Sequence, residues 1–236
     1  MRWSPPKVLG LLVRGALPGL RRVHAQVAVY AKAWDEANAL ALASSGPLWV
    51  VLGDSTAQGI GALGPDQGYV GQVHKMLSAA TGKPWRVLNL SKSGAKVADV
   101  LAAQVPRLEA LDVAPDLVTL AIGSNDVIRR TPLPLLGRDL REILGRLPAG
   151  SVVATLPAGL FRERADAIDA VIRSAAAERG LRVVELGAHT GPPWEGKYAE
   201  DRFHPNAHGY SFYAAAFAEA LGLEGQAPTA GPPPSR

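Results

Sequence analysis

Short apolar runs alternate along this chain with longer stretches in which apolar residues return every three to four positions. The short runs fall at 48–53, 86–90, 116–122, 151–155 and 181–186, and the first of them, Leu48-Trp49-Val50-Val51-Leu52, is apolar throughout. Runs of that length without polar alternation read as strands covered on both faces. Between them the periodicity predicts helices over Tyr69–Ala80, Val97–Leu111, Leu133–Leu147 and Arg162–Gly180, with a closing helix over Ala207–Leu221. Pro115 and Gly180 stand where helices should stop. Strands joined by helical crossovers form a parallel sheet with helices on both faces, so the expected fold is a single α/β domain of three layers. Upstream, Val23, Val27, Tyr30, Trp34 and Ala41 share a helical face while Lys32, Asp35 and Glu36 turn elsewhere, which predicts an amphipathic helix over 23–43. The expected organisation is a basic helical extension (1–47), the α/β domain (48–223) and a Pro- and Gly-rich tail (224–236) too poor in apolar residues to order.

Composition narrows this picture. A chain of 236 residues suits one such domain, and 47% hydrophobic but 6% aromatic content points to a core of Ala, Leu and Val. The absence of cysteine excludes disulfides, cysteine nucleophiles and Cys-ligated metal sites, and fits a reducing compartment. The net charge of +4 raises the question of nucleic acid, but its location answers it. Arg2, Lys7, Arg14, Arg21, Arg22 and Lys32 lie in the first 34 residues with no acid among them, leaving 19 basic residues against all 21 acidic ones in the remainder. Nothing in the body reads as a phosphate-tracking surface, so nucleic acid is excluded as a partner. The extension has two readings: its apolar face packs on the domain, or residues 1–43 make peripheral contact with an anionic membrane. Leu9 to Val13 behind Lys7 resembles the start of a signal peptide, but Arg14 ends the run early, and no membrane-spanning stretch follows. The expected location is cytoplasmic, with membrane association as the alternative.

The chemistry begins at Ser55. Gly53-Asp54-Ser55 follows the first strand directly, so the serine stands at the carboxyl edge of the sheet, where open α/β folds place their ligands. A serine hydroxyl needs a base, and five histidines compete for that role. His24 lies in the extension, His74 inside a helix, His189 in a Gly-Pro turn region and His208 on the closing helix; only His204 has an acid three residues earlier and a proline directly after. Asp201 at that spacing can bond Nδ1 of the imidazole and turn Nε2 toward the serine.

Gly53-Asp54-Ser55, Asn89-Leu90-Ser91-Lys92-Ser93-Gly94, Gly123-Ser124-Asn125-Asp126 and Asp201-Arg202-Phe203-His204-Pro205 together resemble, in order, the sequence blocks of the SGNH hydrolases, also called GDSL-type esterases and lipases. The likeness runs from about Leu48 to the closing helix; Thr56 replaces the leucine of the GDSL motif, outside the chemistry. It implies the strand order 2-1-3-4-5 and a serine esterase acting through an acyl-serine intermediate on lipid-like or short-acyl esters. It further implies Ser55, Asp201 and His204 as catalytic residues, and an oxyanion hole from the backbone N–H groups of Ser55 and Gly94 and the side-chain amide of Asn125. Asp54 and Asp126 are expected to bond loop amides. Acyl transfer by the same acyl-enzyme, or a non-catalytic lipid- or glycan-binding module, are the alternatives.

Two other motifs compete with this reading. Gly59-Ile60-Gly61-Ala62-Leu63-Gly64 has dinucleotide-site spacing, but Pro65 follows where a helix should already run and no acid ends the second strand, so no cofactor is expected and the loop reads as a mobile flank of Ser55. His204 and His208 have metal-like spacing with no third ligand, so no metal is expected.

Overall fold

The structure, a computed structural model, describes residues 18–223. Five strands, β1 (Leu48–Gly53), β2 (Arg86–Asn89), β3 (Leu117–Ala121), β4 (Val152–Ala154) and β5 (Arg182–Val184), form one parallel sheet in the order β2-β1-β3-β4-β5. The expected class and strand order are thus observed; β4 and β5 are shorter than their apolar runs.

Strand β1 shows how the layers arise. Its alternate residues Leu48, Val50 and Leu52 enter one core, with residues from the helical segment 97–109 and helices Leu133–Arg146 and Arg162–Arg179. Trp49 and Val51 enter the other, with residues from helices Tyr69–Thr81 and Ala207–Leu221. All six strand residues are buried, because a two-sided cover leaves no face to water. Trp49 is fully buried, and its indole N–H donates to Thr119 Oγ1 at 2.9 Å, satisfying the one polar group this large side chain carries.

The N-terminal helix spans Pro18–Ala43, five residues earlier than the periodicity indicated. Val23, Tyr30, Asn38 and Ala41 are its buried residues, so the predicted apolar face does pack on the body. Asn38 has a specific task there. β2 is an edge strand, and an edge exposes unpaired backbone groups. Asn38 Nδ2 donates to the Asn89 carbonyl at 2.8 Å and its Oδ1 accepts from the Asn89 N–H at 2.7 Å. One side chain substitutes for a short length of missing strand. The anticipated tail, 224–236, and the first 17 residues lie outside the described residues. No helix among the described residues is long and apolar enough to cross a membrane.

Candidate active site

The site starts from the carboxyl end of β1. Gly53 ends the strand at φ +154°, and a Cβ there would stand 2.6 Å from the Ala121 carbonyl of β3. Only glycine lets β1 and β3 run this close to their ends. The chain then turns tightly: Ile60 N–H donates to the Ser55 carbonyl and Gly59 N–H to that of Thr56, both at 3.1 Å. Ser55 is held at the head of this turn.

His204 and Asp201 come from the loop before the closing helix. His204 Nε2 lies 3.0 Å from Ser55 Oγ, and Nδ1 lies 2.6 Å from Asp201 Oδ2. Asp201 Oδ1 accepts from the N–H groups of Phe203 and His204, each at 3.0 Å. Burial alone would raise the Asp201 carboxyl, but the hydrogen bond and charge of His204, with those two N–H groups, outweigh it and hold the group below its ordinary range. An ionised carboxylate only accepts, so Nδ1 carries the imidazole proton and Nε2 offers its lone pair to the serine hydroxyl. The three side chains singled out from sequence are therefore brought together, from positions 149 residues apart.

Asn125 opens a short helix, Ser124–Ile128, beyond β3. Its Nδ2 donates to the Ala95 carbonyl at 3.0 Å and, at a longer 3.3 Å, to Asp54 Oδ2. Gly94 takes the left-handed conformation, φ +78°. Gly94 is not a lining residue of the large cleft described below; its link to the site runs through its neighbour Ala95. Among the described residues, neither the Ser55 nor the Gly94 N–H meets a protein acceptor. Asp54 bonds the Thr56 N–H at 3.0 Å and its hydroxyl at 2.9 Å, and Asp126 bonds the Val97 N–H at 2.9 Å, the loop-amide tasks expected of them. Burial pushes the Asp54 carboxyl up despite its bonds to Thr56.

Ser55, Asn125 and His204 open into a cleft of about 860 Å³ with a mostly apolar lining. Leu160, Phe161, Trp194, Tyr198 and Phe203 supply much of its wall. A serine with a tautomer-fixed imidazole beside it and a largely apolar wall around it is an arrangement able to perform acyl transfer from an ester.

Residues 51–212 match the GDSL-like lipase/acylhydrolase family. The chain belongs to that family. Its general reaction is accordingly the hydrolysis of carboxylic esters. No curated protein matches the sequence. Among solved structures, TesA is 27% identical with a TM-score of 0.64, over 75% of this chain and 99% of TesA. A variant of an acetyl xylan esterase from Geobacillus stearothermophilus is 26% identical with a TM-score of 0.60, over 77% of this chain and 97% of its own. An α/β hydrolase from the metagenome of Lake Arreo, Spain, is 25% identical with a TM-score of 0.59, over 76% and 97%.

Within this GDSL-type framework the glycine loop after Ser55 corrects an expectation. It is a packed element rather than a mobile flank: Gly59, Ile60 and Ala62 are buried, and Ile60 completely so. A Cβ on Gly61 would come within 2.4 Å of the Pro205 carbonyl and 2.8 Å of His204 Cβ, so the glycines serve close packing against the histidine loop. Gln26 of the N-terminal helix grips the loop, accepting from Gly61 N–H at 2.8 Å and donating to the Ala62 carbonyl at 3.0 Å. Tyr30 Oη donates to the same carbonyl at 2.7 Å.

Gln104 was missed altogether by sequence reasoning. It is buried in a widened helical turn, Val100–Gln104, and both accepts from the Gly53 N–H and donates to the Gly53 carbonyl, each at 2.8 Å. Widened turns of this kind often mark functional sites, and here one braces the strand end beneath the serine. A polar residue on the apolar face of the predicted helix was the available signal. Of the remaining histidines, His74 bonds the Trp85 carbonyl and His189 pairs with Glu219, both away from Ser55. Among the described residues no group of three or more His, Asp or Glu side chains has metal-binding geometry.

Proposed function

We propose that this protein is a serine esterase that cleaves lipid-like carboxylic esters through an acyl-Ser55 intermediate. The observation that carries the reading is the continuous contact from Asp201 through His204 to Ser55, at 2.6 and 3.0 Å, opening into an apolar cleft. In the acylation step His204 Nε2 takes the Ser55 proton as Oγ attacks the ester carbonyl, then delivers it to the departing alcohol. Water, deprotonated by the same nitrogen, then attacks the acyl-serine, and the returning proton frees Ser55. Asp201 keeps the imidazole in the required tautomer and stabilises its charged form.

The tetrahedral oxyanion is received by the N–H groups of Ser55 and Gly94 and by the Asn125 amide. Both amide hydrogens of Asn125 are engaged in the free protein, and the 3.3 Å contact to Asp54 is the weaker bond, hence the one to be exchanged for the oxyanion. Asp54 and Ala95 thus hold the amide aimed before substrate arrives, so that little reorganisation remains for the reaction. The likeness to an acetyl xylan esterase supports ester cleavage, while the volume and apolar wall of the cleft support acyl groups larger than acetyl.

The test is hydrolysis of p-nitrophenyl esters from acetate to dodecanoate by wild type and Ser55→Ala. The expected outcome is turnover that rises beyond acetate and vanishes in the variant. Equal turnover by the two proteins would remove Ser55 from the mechanism, and a wild type active on acetate alone would remove the lipid-like substrate.

A further inference from the structure

Lys197 is an unusual residue to find in the wall of this cleft. Only 7% of it is exposed, yet among the described residues no carboxylate pairs with it. Its ammonium group donates to the Gly191 carbonyl at 2.7 Å and sits 3.9 Å above the centre of the Phe212 ring. An ammonium carries three N–H donors, so one carbonyl and one aromatic face leave it donor-rich. Burial lowers its pKa, which expresses the cost of keeping this charge away from water. A buried charge without a counter-ion is expensive, and a methionine of similar length would fill the same space without that cost.

The surroundings reinforce the imbalance. Arg202 lines the cleft from an exposed position at φ +54°, a conformation that non-glycine residues adopt rarely; Arg162 lines it as well, though it pairs with Asp166 at 3.4 Å. Asp54, enclosed beside the serine, is the one carboxylate among the lining residues. The cleft therefore joins apolar walls to an excess of positive charge, a combination that fits an amphiphile with an anionic end rather than a neutral ester.

We infer that the cleft recognises esters carrying a carboxylate or phosphate group, and that Lys197 is the residue that receives it. This rests on the esterase reading above and adds the charge of the substrate to it. The ammonium supplies charge-assisted hydrogen bonds through the donors Gly191 leaves over, and the burial of Lys197 makes each such bond stronger than it would be at an open surface. The anion completes a site that the free protein leaves electrostatically incomplete.

Two matched substrate pairs test this, and locate the charge on one side of the scissile bond or the other. For the acyl side, p-nitrophenyl hemiadipate is compared with p-nitrophenyl hexanoate; for the alcohol side, a 1-acylglycerol 3-phosphate with the 1-acylglycerol. The readout is the ratio of kcat/KM, charged over neutral, in wild type, Lys197→Met and Lys197→Arg. Expected is a wild-type ratio on the order of tenfold or more in one pair, as for a hydrogen bond to a charged group, falling to near unity in Lys197→Met and largely kept in Lys197→Arg. Being a ratio, it is insensitive to losses of folded or active enzyme. A wild-type ratio at or below one in both pairs overturns the inference without any variant, and a high ratio that persists in Lys197→Met overturns the role of Lys197. Hydrolysis of neutral members alone leaves the esterase reading standing and this inference fallen; no hydrolysis of any member would fell the esterase reading itself.

Discussion

At the scale of single residues, the serine, imidazole and carboxylate owe their arrangement to hydrogen bonds that leave few alternatives. Asp201 has both oxygens engaged, one by the imidazole and one by two backbone N–H groups, so it cannot rotate without losing a bond. Its folded pKa is depressed, and the sign of the consequence follows. The stabilisation it confers is present above the unfolded carboxylate value and is lost as pH falls through the folded one. Asp201→Asn is expected to lower kcat by roughly 10³ to 10⁴ through the wrong imidazole tautomer. Urea unfolding at a series of pH values should show the stability gap between wild type and this variant widest near neutrality and closing in acid; a gap that does not vary with pH would contradict the assignment. Asn125→Ala should reduce kcat by about 10² to 10³ with KM little changed, as for the loss of one oxyanion donor, and steady-state kinetics on a single p-nitrophenyl ester is sufficient to see it.

At the scale of elements, the N-terminal helix contributes more than cover. Its described N-terminal turns meet both loops of the site. A Cβ on Gly19 would lie 2.8 Å from that of Glu200, Arg22 pairs with the Glu200 carboxylate, and Gln26 and Tyr30 hold the loop that Gly61 presses against His204. The Arg22 pair is exposed and contributes little by itself. Gln26, by contrast, fixes a backbone that bears on the histidine, so Gln26→Leu should lower kcat about tenfold or more through misplacement of His204 while leaving KM near wild type. An unchanged kcat would reduce the helix to a cover. Farther along the same helix, Asn38→Leu leaves the Asn89 N–H and carbonyl buried without partners, and urea denaturation should register about 1–3 kcal/mol of lost stability for each. The helix lies before residue 51, where the family match begins, yet its contacts reach loops and strand β2 inside the matched region.

At the scale of the molecule, two features stand apart from the chemistry: a sheet sealed between two cores, and a charge distribution weighted to one end. With the apolar face of the N-terminal helix spent on packing, any attraction of the basic residues 2–22 to an anionic bilayer is expected to be electrostatic alone. Full-length protein should co-sediment with phosphatidylserine-containing vesicles at low ionic strength and be released by salt. Retention in high salt would mean that apolar side chains also insert, from the run Leu9 to Val13 or from the helix, and absence of binding at low salt would end the membrane reading.

The division between sequence and tertiary structure follows range of interaction. Strand and helix identity was legible because it depends on local periodicity: the closing helix matches its predicted bounds, and helix Arg162–Arg179 stops one residue short of its prediction because Gly180 takes the left-handed cap. The parallel sheet followed from crossover length. Ser55, Asp201 and His204 could be singled out because each sits in a short block with its own chemical logic, at a strand end or before a helix; Asn125 stood out through the resemblance of its block to that of the family. Their separations could not be read, since no local rule brings position 55 to within 3.0 Å of position 204. Gln104, Gln26 and Asn38 escaped notice for the same reason: each is an ordinary helical polar residue until a distant backbone group comes to meet it. The glycine loop was read as mobile because glycines permit many conformations, and only the close approach of the histidine loop determines which one is taken. What the sequence settled by itself was the class of fold and the kind of chemistry. The tertiary structure decided which polar groups share a buried space, because burial turns an indifferent side chain into an obligatory hydrogen-bond partner.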